Sequence, residues 1–173
     1  MLDWLETAGD FLMGTAISTL SVVGLGPDEP VRYQMDTFLA GMTEGCEISS
    51  DLGVFWEQLV ADGTLIVPAD AGAYFSATQI AVREDHRELR VPVQGTWMGH
   101  EVAGISVIAG IDNGYSSIGV VFEPGQQALD AAFAPLAAQS DAIMQADPDN
   151  LVGASAVYGT FGGEPQYICD FSN

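Results

Sequence analysis

Twenty-four acidic side chains stand against four arginines and no lysine, so any fold of this chain must carry a formal charge of −20 on 173 residues. Apolar residues make up 48% of it, far too many for a disordered acidic tail. The charge therefore sits on a globule with a real core. At this length one domain is expected, burying roughly 70% of the surface of the unfolded chain. Charged residues total only 16%, so the imbalance comes from missing bases more than from a dense acidic coat. That argues against a saturated halophile surface, where acids and ion pairs are both dense.

The same imbalance excludes classes of function. It strongly disfavours approach to DNA, RNA or an anionic membrane and favours fast, salt-sensitive encounter with something cationic. Without lysine there is no lysine Schiff base, no phosphate-loop lysine and no lysine general base. Residues 11–25 have the apolar, small-residue character of a signal-peptide core, but Asp3, Glu6 and Asp10 stand where a positive region belongs. The stretch also falls short of the roughly 20 residues that span a bilayer. It reads as a core helix, or as one that docks on a partner or a second copy, and membrane insertion is not expected.

Hydrophobic periodicity gives the order of elements. A first helix is expected over 2–22, ending at Gly24 and a Gly-Pro break at 26–27. A second spans 33–45, with Met35, Phe38, Leu39, Met42 and Cys46 on one face. Asp51 reads as the N-cap of a third, whose apolar face is Leu52, Phe55, Trp56, Leu59 and Val60 and which Gly63 closes. Strands follow. Residues 74–83 alternate, with Tyr74, Ile80 and Val82 apolar. Leu89, Val91 and Val93 form one face of the next strand, and Pro92 places it at an edge or interrupts it. Strands over 102–111 and 117–122 are joined by Asp112-Asn113-Gly114, a strong hairpin signal. A long helix then carries Leu129, Phe133, Leu136, Ile143 and Met144, with Pro135 expected to kink or split it. Strands over 154–161 and 166–171 complete the order ααα-ββββ-α-ββ: a single α+β domain of antiparallel meander and covering helix. Its segments are 1–27, 28–63, 64–124, 125–147 and 151–173.

The arginines are clustered. Arg83, Arg87 and Arg90 are interleaved with Glu84, Asp85, His86 and Glu88, and the charges within 83–90 cancel. If 84–87 is a hairpin tip, Arg83 and Arg90 project from one face. There they either grip a carboxylate or phosphate or balance the neighbouring acids. The acids and His86 alternate faces on a strand, which argues against a metal site. Trp4 and Trp97, near a terminus and a turn, are candidate binding anchors or peripheral packing. Cys46 and Cys169, if bonded, close a loop of about 123 residues worth up to roughly 4–5 kcal/mol in chain entropy. Otherwise they are buried thiols. Asp147-Pro148-Asp149-Asn150 resembles a calcium loop, but Tyr158 stands where the bidentate glutamate belongs, so it reads as a helix stop.

No catalytic set emerges, and no cofactor or metal is expected. The leading expectation is a non-enzymatic acidic binding protein that captures a basic protein, in the manner of inhibitors, immunity proteins or secretion chaperones. One alternative is a structural subunit of a multi-subunit assembly docking through its N-terminal apolar helix. Another is a small hydrolase or isomerase working through paired carboxylates. The compartment is expected to be periplasmic or secreted if the cysteines are bonded, and cytoplasmic otherwise.

Overall fold

The computed structural model describes residues 30–172; the helix expected over 2–22, and Trp4 with it, lies outside them. The second expected helix does not form. Residues 33–45 open with a two-residue strand, β1 (Tyr33–Gln34), and continue as linked turns. Leu39 N–H donates to the Met35 carbonyl at 2.8 Å and Glu44 N–H to that of Gly41 at 2.8 Å. Gly41 (φ +87°), Gly45 (φ +83°) and Cys46 (φ +54°) are left-handed, which a right-handed helix cannot contain. The turns nonetheless repeat every three to four residues. Met35, Phe38, Leu39, Met42 and Cys46 are therefore buried as their spacing predicts, without the helix.

Helix α1 (Ser50–Asp62) is capped by Ser49, not Asp51. The Ser49 Oγ accepts from Leu52 N–H at 3.2 Å and donates to the Phe38 carbonyl at 2.6 Å. Asp51 lies in the first turn, where its charge complements the helix dipole. Gly63, left-handed, closes the helix as expected.

Strands β2 (Gln79–Val82), β3 (His86–Trp97), β4 (His100–Gly110) and β5 (Ser116–Phe122) form the antiparallel meander. Helix α2 (Leu129–Ala146) follows, then the hairpin β6 (Ser155–Phe161) and β7 (Glu164–Asp170). The sheet runs β1-β3-β4-β5-β7-β6, with β2 also on β3; only β1 pairs in parallel. β2 meets β3 over Arg87–Arg90 and β1 meets it at Gly95–Thr96. Pro92 falls between, and the β3–β4 register shifts there. β2 is shorter than expected: Tyr74 sits in a 3-10 turn, and Ile80 and Val82 stay exposed at the sheet edge instead of joining the core.

One face of the sheet is apolar in register. Leu89, Val107, Ile118, Cys169 and Ala156 form a row across β3-β4-β5-β7-β6, and Val91, Ile105, Val120, Tyr167 and Tyr158 form the next. α1 brings Phe55 to 5.6 Å from Phe38 and 6.3 Å from Phe75 between ring centres. α2 brings Phe133 to 4.5 Å from Phe122 and 5.1 Å from Trp97. The buried stripe of α2 is Leu129, Phe133, Ala137, Ser140 and Met144, while Ile143, expected on it, is exposed. The helix continues through Pro135 unsplit. The residue is exposed, so the carbonyl its missing N–H would have met, that of exposed Ala131, can turn to water.

Two buried polar groups hold the 35–46 turns onto this layer. Ser140 Oγ accepts from the N–H groups of Gly45 (2.9 Å) and Cys46 (3.1 Å), and the Tyr167 hydroxyl donates to the Met42 carbonyl at 3.0 Å. Burial raises the Tyr167 pKa, keeping its hydroxyl a donor. Beside them Cys46 and Cys169 lie at disulfide distance, Cα–Cα 5.7 Å, closing 123 residues of chain.

Candidate functional site

The hairpin between β2 and β3 turns at 83–86, where Arg83 N–H donates to the His86 carbonyl at 2.8 Å. Alternation along β3 places Arg87 with Leu89 and Val91 on the helix-covered side, and Glu88 and Arg90 on the open face. Each arginine meets a group of the protein itself. Arg87 Nη2 donates at 2.9 Å to the carbonyl of Val60, one of the last carbonyls of α1 and lacking an intrahelical donor. Arg83 forms a two-pronged pair with Glu88 at 3.0 and 3.1 Å. Both partners are largely exposed, so the pair contributes little to stability. His86 bridges Asp85 (2.7 Å) and Glu88 (3.3 Å), so these groups converge instead of alternating away from one another. The hydrogen bond to Asp85 is the main force raising the His86 pKa above the ordinary range.

Arg90 reaches farthest. Its Nη1 and Nη2 donate to Glu164 Oε2 and Oε1 at 2.7 and 3.0 Å, although β4 and β5 lie between β3 and the start of β7. The side chain lies flat across the open face, over Gly104 of β4. A Cβ on Gly104 would stand 2.8 Å from Arg90 Nε and 2.9 Å from the Val91 carbonyl oxygen. Val121, next to Gly104 in register, is fully buried on this same face. Gly104→Ala should therefore destabilise the protein by roughly 1–3 kcal/mol. In a denaturation double-mutant cycle the change should couple to Arg90→Ala, because removing the arginine relieves part of the clash. Strict additivity would show that Arg90 does not lie on Gly104.

The fourth arginine, Arg32, donates to Glu101 Oε2 at 3.0 Å. All four arginines of a lysine-free chain are thus held internally, three by carboxylates and one by a backbone carbonyl. The other described carboxylates have no arginine partner. Two recesses gather some of them. Glu44, Glu47 and Asp147 line one of about 240 Å³ beside Ile143 and Met144. Asp51 and Asp70 line another of about 590 Å³ together with Tyr33, Tyr74, Phe38 and Pro68. An apolar recess of about 480 Å³ between α1 and the β4–β5 hairpin, lined by Trp56, Val60 and Tyr115, holds the single carboxylate Glu57. It does not oppose the two acids that acid–base hydrolysis needs. Among the described residues no three His, Cys, Asp or Glu side chains are grouped to hold a metal ion.

Trp97 lies in the core. It is 3% exposed, stacked parallel on Phe122 at 6.1 Å and edge-on to Tyr167 at 5.5 Å. Its place at the end of β3, near a turn, suggests exposure, but its parity with Leu89 and Val91 puts it on the helix-covered side. The Tyr33, Asp51, Asp70 and Tyr74 grouping went unseen in the sequence. The parallel pairing of β1 with the end of β3 holds Tyr33 opposite Gly95, and no local pattern signals that pairing. No family model matches the chain, and no curated protein or solved structure is significantly similar to it.

Proposed function

We propose that this chain is a non-enzymatic acidic binding protein that captures a cationic protein partner. The observation that carries the reading is the internal engagement of every arginine in a chain without lysine. The described fold offers no further arginine or lysine to the exposed carboxylates, and His86 engages only Asp85 and Glu88, so the field of the rest reaches solvent with little internal cancellation. Such a field accelerates encounter with a basic surface and rejects acidic ones. The Cys46–Cys169 pairing favours an oxidising compartment, periplasmic or secreted, where such bonds persist.

The test is capture on the immobilised protein at low ionic strength from a lysate of its source, followed by a salt ramp and mass spectrometry. A single basic protein leaving at a defined salt step is the expected result. Recovery of the chain itself, or of a set of neutral subunits, would replace this reading with that of an assembly subunit.

A further inference from the structure

We infer that the recess formed by Tyr33, Tyr74, Asp51 and Asp70 receives an arginine side chain of the partner. The inference rests on the acidic-capture reading and names the chemistry of its contact. The Tyr33 and Tyr74 rings are 5.8 Å apart between centres and tilted by 31°, and both line the same opening as the two carboxylates. A guanidinium suits that combination. It is planar, weakly hydrated, stacks on aromatic rings and offers paired donors to carboxylates, whereas an ammonium is a compact, strongly hydrated charge.

The parts are fixed before any ligand arrives. Tyr33 is set by the β1–β3 pairing and Asp51 by the first turn of α1. Asp70 sits in turns closed by Ala71 N–H to the Pro68 carbonyl and Tyr74 N–H to the Ala71 carbonyl, each 2.9 Å. Arg32 also lines the recess, but its guanidinium is paired with Glu101, and among the described residues neither Asp51 nor Asp70 has a salt-bridge partner. Burial, then the charges of Asp70 and Asp51, raise the Tyr33 pKa, as expected where a phenol and two carboxylates share one space. The volume of about 590 Å³ admits a side chain with water beside it.

The test titrates the full chain with the capped tripeptides Gly-Arg-Gly and Gly-Lys-Gly, following ring resonances by NMR. The arginine peptide should shift the Tyr33 and Tyr74 signals and bind more tightly than the lysine peptide. The double change Asp51→Asn, Asp70→Asn should weaken it roughly tenfold, and the equally charged change Glu44→Gln, Glu47→Gln should do so by less than about twofold. An arginine peptide that leaves both tyrosines unshifted, or that loses equal affinity in the two variants, overturns the recess. The result on the unaltered chain stands even if a variant folds poorly. Capture of a basic protein that leaves at the same salt step from the Asp51, Asp70 variant would also overturn the recess, while leaving the broader reading intact. Failure to capture any basic protein is instead the failure of that reading.

Discussion

Reduction of the Cys46–Cys169 pair should lower the thermal unfolding midpoint by on the order of 10 °C. Closing 123 residues removes much of the freedom of the unfolded chain. On chain-entropy grounds that is worth up to roughly 4–5 kcal/mol, and about 2–4 °C accompanies each kcal/mol at this chain length. The link also has a specific mechanical role. Cys46 ends a segment with no regular structure of its own, whereas Cys169 lies on β7, paired on both sides by β5 and β6. Without the bond, the 35–46 turns keep the hydrogen bonds to Ser140, Tyr167, Ser49 and the end of β3, and their apolar contacts. Calorimetry with and without reductant, repeated on Cys46→Ala, Cys169→Ala, is the check. A shift below about 2 °C in both would show that the pair contributes little to stability.

Phe133→Ala should cost roughly 3–5 kcal/mol, read from the midpoint of chemical denaturation at unchanged slope. Phe133 is fully buried where α2 meets the sheet, with ring centres of Phe122, Trp97, His100 and Tyr158 at 4.5, 5.1, 5.4 and 6.1 Å. Truncation leaves a cavity walled by rigid rings that cannot collapse into it. Ile143→Ala on the same helix is the informative control. The periodicity of α2 puts Ile143 on the buried stripe, yet it is 46% exposed, so its truncation should cost under about 1 kcal/mol. Equal costs at the two positions would contradict the packing described here.

The comparison of Phe133 with Ile143 also shows how far the sequence could be read. Side-chain burial along β3 and α1 was legible, because a strand with one covered face and an amphipathic helix each leave a fixed period, whereas β5 is buried along nearly its whole length and leaves none. The buried set of 35–46 was legible too, but not its conformation. Turns and helix share a spacing of three to four residues, and the local evidence against a helix was Gly41 and Gly45. The exact stripe of α2 was blurred because alanine and serine, which fill it at 137 and 140, carry little hydrophobic signal. Apart from the Cys46–Cys169 pair, which the two cysteines themselves offered, pairings between distant segments were not legible. Nothing local joins Tyr33 to Asp70 or Arg90 to Glu164, so the aromatic–carboxylate recess and the cross-sheet ion pair emerge only from the topology. The charge imbalance was visible at once, while the internal engagement of each arginine needed the fold.

In the proposed function, unopposed surface carboxylates, not an apolar patch, drive recognition of a cationic partner. The most direct test is the association rate constant of the captured partner measured across ionic strength. Raising salt from about 0.02 to 0.5 M, which shortens the screening length from over 20 Å to under 5 Å, should slow association by roughly ten- to a thousandfold. An association rate that stays constant over that range would contradict the account and point to a contact made chiefly through apolar surface.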